Sequence, residues 1–163
     1  MGRDGQLAPF QMFRGAAKVS LDDKGRLVVP TRIRERLMER SQGELIVTIN
    51  LDRECLAIYP LTDFEEIERK LMELSAMHEP VRRLQRLVVG HAVDLVLDGH
   101  GRMLIPSDLR QFAAIERQAQ LVGQGKKCEL WQEARWVERR DVWLKSEISP
   151  GDIPAEILSS LPL

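Results

Sequence analysis

The sequence predicts a β-rich α+β fold built from two tandem repeats, each with the order β-β-α-β-β-α. Residues 20–34 recur at residues 96–110 with six identities in fifteen positions, which indicates an internal duplication. Short runs of alternating apolar and polar residues lie on one side of a glycine-containing turn, a pattern typical of hairpins. Aromatic residues make up only 5% of the chain and hydrophobic residues 44%, so we expect an aliphatic core.

The first half opens with a hairpin. Apolar side chains alternate up to Leu21, and Gly25 supplies the positive φ that a tight turn needs. After Pro30 a helix follows, with Ile33, Leu37 and Met38 expected to face inward. We predict strands at 17–21, 26–29, 44–50 and 55–60, and helices at 31–40 and 62–79.

The second helix of this half has a start signal and an apolar face. Thr62 and Glu65 fit a capping box, because each can bond the backbone amide near the other. The helical period places four apolar residues on one face: Phe64, Ile67, Leu71 and Leu74. Pro80 interrupts this helix, and residues 81–90 either restart a helix or lead into a strand.

The second half repeats the layout. We predict strands at 93–97, 102–105 and 119–123, a further strand around Trp131, and helices at 107–114 and 133–146. The domain boundaries that we expect are a disordered arm at 1–11, a first repeat with its helix at 12–85, a second repeat with its helix at 86–146, and a tail at 147–163. Each repeat alone is marginal for independent folding, so we expect the two to share a sheet or barrel.

Composition narrows the class of protein. The net charge of −1 gives no global attraction to nucleic acid, so anion binding must come from local clusters. Residues 24–40 carry a net charge of +4 (six basic and two acidic side chains), whereas 62–79 carry −4 (two basic and six acidic), which predicts a basic and an acidic face. The two cysteines lack metal or disulfide spacing, and we expect both to be reduced and buried. No apolar run is long enough for a membrane helix or resembles a signal peptide, so we expect a cytoplasmic protein.

The repeated motif D-x-x-x-R is the strongest candidate site. Asp22, Gly25, Asp98 and Gly101 should form the two turns, with each aspartate accepting backbone hydrogen bonds. The motif is open to two interpretations. Each arginine either pairs with its aspartate as a structural clip, or is presented at an exposed tip that fits a DNA major groove.

Several stretches together resemble the MraZ family of bacterial transcriptional regulators of the division and cell-wall gene cluster. They are FRGA (13–16), LDDKGRLVVPTRIR (21–34), LAIYPLTDFEEIERKL (56–71), RRLQRLVVGHA (82–92), LDGHGRMLIPSDLR (97–110) and LVGQGKKCELW (121–131). The resemblance implies two SpoVT-AbrB-like repeats that form a double-split β-barrel with flanking helices. It also implies a ring-shaped homo-oligomer that binds short direct repeats upstream of its own operon, and we expect the protein to act there as a repressor.

The same resemblance makes Arg26 and Arg102 the DNA-contacting residues. We expect Lys24, Arg34 and Arg110 to add to the contact with double-stranded DNA, and the protein to be associated with the nucleoid. The two tips need not bind equally, because the second turn has His100 where the first has Lys24.

Other function classes find less support in the sequence. The GQGKK stretch (123–127) does not fit a phosphate-binding loop, which would need glycine at position 120 and serine or threonine at position 127, where this chain has Gln120 and Lys127. The three histidines lack metal-ligand spacing, and no catalytic constellation occurs, so we predict no enzyme, no cofactor and no metal. The alternative function is an antitoxin-like or scaffold oligomer that binds a protein partner through the acidic helix 62–79 or the apolar tail 153–161.

Overall fold

A computed structural model describes residues 12–147 and 151–162. The chain divides into a first compact unit that ends at Glu133 and a second that begins at Ala134. The expected arm at 1–11 lies outside the described residues. No helix in the described ranges has both the length and the apolar composition needed to cross a bilayer.

The order of elements follows the predicted repeat, with one additional helix in the first half. The strands are β1 (Ala16–Ser20), β2 (Arg26–Val28), β3 (Glu44–Ile49), β4 (Leu56–Pro60), β5 (Val93–Val96), β6 (Arg102–Leu104), β7 (Gln118–Gln124) and β8 (Lys127–Gln132). The helices are α1 (Thr31–Ser41), α2 (Leu61–Glu73), α3 (Glu79–Val88), α4 (Ser107–Phe112), α5 (Glu133–Lys145) and α6 (Ala155–Ser160).

The strands of the two halves interleave in one mostly antiparallel arrangement. Six strands form a sheet in the order β1-β7-β8-β4-β3-β5, and β2 pairs with β6 in a separate two-stranded ribbon. The first strand of each half lies at an end of the sheet and pairs there with the third strand of the other half, β1 with β7 and β5 with β3, and the fourth strands β4 and β8 meet in the middle. This order relates the two halves by an approximate twofold, and neither half forms a sheet of its own.

The expected barrel is not seen as a closed ring of strand pairs. Among the described residues the pairing runs from β1 to β5 without joining these two ends. The observed fold is therefore α+β with an open six-stranded sheet and a ribbon, and the turns at residues 22–25 and 98–101 connect each end of the sheet to the ribbon.

Burial along the strands explains the main core. Inward residues from both halves form a single aliphatic cluster, which includes Leu21, Leu27, Val47, Leu56, Met103, Ile105, Leu121 and Leu130. A smaller cluster of Ile46, Phe64, Leu71 and Val88 holds α2 and α3 on the sheet. Both cysteines are free and buried, as predicted.

Local expectations about the helices need four corrections. The helix α2 begins at Leu61, directly after Pro60, and makes no side-chain cap, so the predicted capping box is wrong. Leu74 lies beyond the last residue of that helix and is exposed, and Ile67 is exposed although the helical period places it on the apolar face. The prediction that Met38 faces inward is also wrong, since its side chain is exposed. The choice for residues 81–90 is resolved in favour of a helix, because α3 begins at Glu79 with Pro80 in its first turn, where a missing N–H is tolerated.

The second unit contains the rest of α5 and the short α6. In α5 the rings of Trp136 and Trp143 meet edge to face with centroids 5.9 Å apart, and the Arg139 guanidinium lies 5.5 Å from the Trp143 ring centroid. In α6 and the residue after it, the apolar side chains Ile157, Leu158 and Leu161 are exposed.

Candidate nucleic-acid interface

The first hairpin turn is organised around one carboxylate. Oδ1 of Asp22 accepts the backbone amides of Lys24 and Arg26, both at 2.9 Å. Oδ2 accepts Nε of the Arg26 side chain at 2.7 Å. Gly25 has φ +88°, a conformation that favours glycine, and its amide donates to the Asp22 carbonyl at 2.9 Å. Aspartate, glycine and arginine therefore define the turn through contacts within five residues.

The second turn reproduces this geometry. Oδ1 of Asp98 accepts the amides of His100 and Arg102 at 2.8 and 2.9 Å, and Oδ2 accepts Nε of Arg102 at 2.8 Å. Gly101 has φ +71°. The two turns are therefore equivalent in their hydrogen bonds as well as in their sequence.

Both aspartates are stabilised in the ionised form. Hydrogen bonds from the backbone amides of Arg26 and Arg102, the largest cause, lower the pKa of Asp22 and of Asp98 to about 2. The arginine side chains contribute in the same direction. Each carboxylate therefore remains a hydrogen-bond acceptor throughout the physiological pH range, and it fixes the Nε edge of its arginine.

The ribbon brings the two arginines onto one face. In the antiparallel register Arg26 lies opposite Leu104 and Val28 lies opposite Arg102. The alternate residues Leu27 and Met103 are buried below. Because successive side chains point to opposite faces of a strand, the outer face presents two arginines and two aliphatic side chains. Val28 and Leu104 are 58% and 48% exposed.

The arginine side chains are only partly covered. Arg26 and Arg102 retain 32% and 29% of their side-chain exposure. Among the described residues, their recorded hydrogen bonds use Nε alone, so the terminal Nη groups remain available. The aspartate pairing expected of a structural clip is thus present, and it leaves free the part of the guanidinium that recognises phosphates and guanine edges.

The other predicted DNA-binding residues have different environments. Lys24 is exposed in the first turn. The half-buried side chains of Arg34 and Arg110 each lie against the turn glycine of the opposite repeat. The structure therefore brings Arg34 next to the second hairpin and Arg110 next to the first.

Part of the basic cluster is engaged elsewhere. Arg40 in α1 forms two hydrogen bonds with the buried carboxylate of Asp63 in α2, at 2.9 and 3.0 Å, and this pairing raises the pKa of Arg40. The side chain of Arg36 donates to the backbone carbonyl of Met12. The basic and acidic segments predicted to form separate faces are therefore joined by an ion pair.

Sequence reasoning missed the aliphatic part of the ribbon face. The signal was available, because a buried Leu27 between Arg26 and Val28 implies that the two outer residues share a face. The contact of Arg34 and Arg110 with the turn of the opposite repeat had no local signal in the sequence, since it depends on pairing between strands about 75 residues apart.

One cluster has a donor set that a metal ion can use. Ligand atoms of Asp52, Cys55 and Glu129 lie within 4.8 Å of one another. The two Glu129 oxygens already accept hydrogen bonds from Trp131 Nε1 at 3.0 Å and Asn50 Nδ2 at 3.2 Å. Burial raises the pKa of the Cys55 thiol, which disfavours the thiolate that binds metals. We therefore interpret the cluster as a hydrogen-bonded part of the core.

Comparison with known proteins matches most of the chain. The family model described as "MraZ protein, putative antitoxin-like" matches residues 12–87 and again 88–141. A protein of Methylococcus capsulatus named "Transcriptional regulator MraZ" is 52% identical over 140 residues, which cover 86% of this chain and 91% of the relative. Proteins of the same name from Azotobacter vinelandii and Pseudomonas aeruginosa are 53% identical over 147 residues and 50% identical over 146 residues, and in each case cover 90% of this chain and 97% of the relative. This level of identity, together with the two family matches, shows that the chain belongs to the MraZ family.

Proposed function

We propose that this protein is a transcriptional regulator that binds double-stranded DNA in a sequence-specific way through the outer face of the β2–β6 ribbon. The observation that carries the proposal is the arrangement of Arg26 and Arg102 with two exposed aliphatic side chains on that face. The names of the relatives support the same function.

The ribbon face suits a major groove in size and chemistry. Two-stranded β-ribbons enter the major groove, where arginine Nη groups bond guanine O6 and N7, and aliphatic side chains contact the thymine methyl. The two arginines are diagonal neighbours in the ribbon, with Cα atoms about 7–8 Å apart. At about 3.4 Å per base step that separation spans roughly two base pairs.

The turn aspartates lower the cost of binding. An arginine that is already held at Nε loses less side-chain freedom when its Nη groups meet DNA. The clip and the DNA-reading tip are therefore two aspects of one motif, and Lys24 adds a phosphate contact beside the first tip.

We further propose repression of the operon that carries the gene, through short direct repeats, by a homo-oligomeric ring. One ribbon offers only two arginines, so a single contact is weak. An oligomer that engages several repeats at once raises the effective concentration of each later contact. Within this proposal the sheet and the ribbon form a double-split barrel, in which the two hairpins connect the ends of the sheet.

A DNA-binding titration tests the proposal. The full-length protein is titrated with the DNA upstream of its own coding sequence and with a scrambled duplex, at two salt concentrations. The double variant Arg26→Ala/Arg102→Ala should lose about 1–3 kcal/mol per base contact, or reduce the salt slope by about 1 per phosphate contact.

Arg69→Ala/Arg83→Ala is the matched control. These two arginines also pair with a carboxylate four residues away, but they lie on α2 and α3. The control should bind DNA as the wild type does, with the same oligomer size. If the ribbon variant retains wild-type affinity, DNA reading by the ribbon is wrong, and a partner protein bound through α2 or the tail becomes the better assignment.

A further inference from the structure

Arg34 of α1 lies against the turn of the second hairpin. A Cβ placed on Gly101 would lie 2.3 Å from Nη1 and 2.6 Å from Cδ of Arg34, so the arginine side chain fills the volume that any other residue would need. The backbone is also bonded between the repeats at this point, because the amide of Val29 donates to the Gly101 carbonyl at 2.9 Å. The first repeat therefore contacts the second turn through both a side chain and its main chain.

The arginine of α4 makes the reciprocal contact. A Cβ on Gly25 would lie 2.6 Å from Nε and 2.7 Å from Cζ of Arg110. Nε of Arg110 donates to the Ile105 carbonyl at 3.0 Å, and the Ile105 amide donates to the Gly25 carbonyl at 2.9 Å. A continuous series of hydrogen bonds thus runs from the second repeat into the first turn.

Two open grooves on the surface show the same crossing. One is lined by the first turn together with α4 and the segment after it, and the other by the second turn together with α1. Arg110 lies in the first groove and Arg34 in the second. Each tip is therefore a composite, with the D-x-x-x-R motif from one repeat and the supporting arginine from the other.

We infer that Arg34 and Arg110 are crossed positioning residues, in which Arg34 sets the orientation of Arg102 and Arg110 sets that of Arg26. This inference rests on the proposed function. In both turns the supported glycine directly precedes the DNA-reading arginine, so a displacement of the glycine moves that arginine. The guanidinium of a positioning residue contacts the turn, whereas a DNA-contacting arginine would extend away from it.

Amide hydrogen exchange of the full-length protein without DNA tests the crossing directly. Arg34→Ala should accelerate exchange at the Gly101 and Arg102 amides by about tenfold or more and leave the Gly25 amide unchanged. Arg110→Ala should do the reverse. The control is Arg32→Ala, which removes an exposed arginine of α1 and should change neither turn. Equal acceleration of both turns, or none, would overturn the inference.

A double-mutant cycle on DNA affinity provides the second test. Removing a positioning residue cannot reduce DNA affinity by more than removing the contact that it positions. Arg34→Ala should therefore weaken binding by no more than Arg102→Ala, which we expect to weaken it roughly 5- to 150-fold. The Arg34→Ala loss should vanish in the Arg102→Ala background and persist in the Arg26→Ala background. An undiminished loss in the Arg102→Ala background would show that Arg34 contacts DNA itself, and would refute positioning.

Arg34→Met keeps the inference testable if the alanine variant folds poorly. Methionine retains an unbranched stem over Gly101 without the charge, so its DNA affinity should lie closer to wild type than that of Arg34→Ala. Equal losses for methionine and alanine would favour a charge contact with DNA and overturn positioning. If Arg26→Ala and Arg102→Ala leave DNA affinity intact, the proposed function fails, while hydrogen exchange still decides whether the turns are supported across the repeats.

Discussion

Replacing Trp131 with phenylalanine should destabilise the protein by about 2.5–5 kcal/mol, and much of that loss should depend on Glu129. Trp131 is fully buried in β8, and its indole Nε1 donates to Oε1 of Glu129 at 3.0 Å. Oε2 of the same carboxylate accepts from Asn50, which directly follows β3. The cluster therefore bonds the two repeats in the interior of the shared sheet.

The magnitude has two parts. Phenylalanine removes the donor to a charged acceptor, and such a hydrogen bond contributes about 1.5–3 kcal/mol. The smaller ring also leaves unfilled space. Complete truncation of a buried tryptophan costs roughly 3–5 kcal/mol, and phenylalanine keeps most of the contacts, so we assign about 1–2 kcal/mol to this part.

Urea unfolding followed by far-ultraviolet circular dichroism measures the loss. In a Glu129→Met background, where the acceptor is already absent, Trp131→Phe should cost only the packing part of about 1–2 kcal/mol. Trp143→Phe is the control, because Trp143 is 46% exposed, and it should change the free energy of unfolding by about 0.5 kcal/mol or less. A Trp131→Phe loss below about 1 kcal/mol, or an equal loss in both backgrounds, would refute the role assigned to the cluster.

Three further predictions concern the hairpins, an ion pair and the sheet edge. The pKa values of Asp22 and Asp98 in the folded protein are lowered to about 2, so the hairpin hydrogen bonds should be intact above the unfolded-state pKa of about 4 and be lost as the pH falls through about 2. Hydrogen exchange of the turn amides measures this loss, and asparagine at either position should remove the pH dependence of that turn alone. Arg40→Ala should lower the free energy of unfolding by about 1–3 kcal/mol, because it leaves the buried Asp63 carboxylate without its bidentate partner. Asp63→Ala should cost less, since the remaining guanidinium can reach water. Urea unfolding of both variants measures the two losses, and the opposite order would contradict the argument. Gly123→Ala should lower the free energy of unfolding by about 1–3 kcal/mol, because the added Cβ would lie 2.3 Å from the backbone nitrogen of Arg14, in the segment beside β7. A thermal melt unchanged from wild type would show that this segment moves without cost.

The two hairpins were the most predictable part of the candidate site. Asp22, Gly25 and Arg26 interact within five residues, so their spacing alone implies a carboxylate-centred turn with a left-handed glycine. The same logic recovered α1, because Pro30 and Gly43 bracket an amphipathic run. It failed at the start of α2, where Pro60 determined the first helical residue and the hydroxyl of Thr62 makes no cap.

By itself, the sequence determined the duplication, the β-rich α+β class, the two D-x-x-x-R turns and the family resemblance, because each of these follows from the pattern within short stretches of the chain, or from comparing one such stretch with another. Only the tertiary structure decided which strands pair, which arginines share the ribbon face, and that Arg34 and Arg110 lie against the turn of the opposite repeat. The physical reason is that a repeat of this size is marginal for independent folding. The strands must therefore find partners in the other half, and the composite tips follow from that exchange rather than from any local pattern.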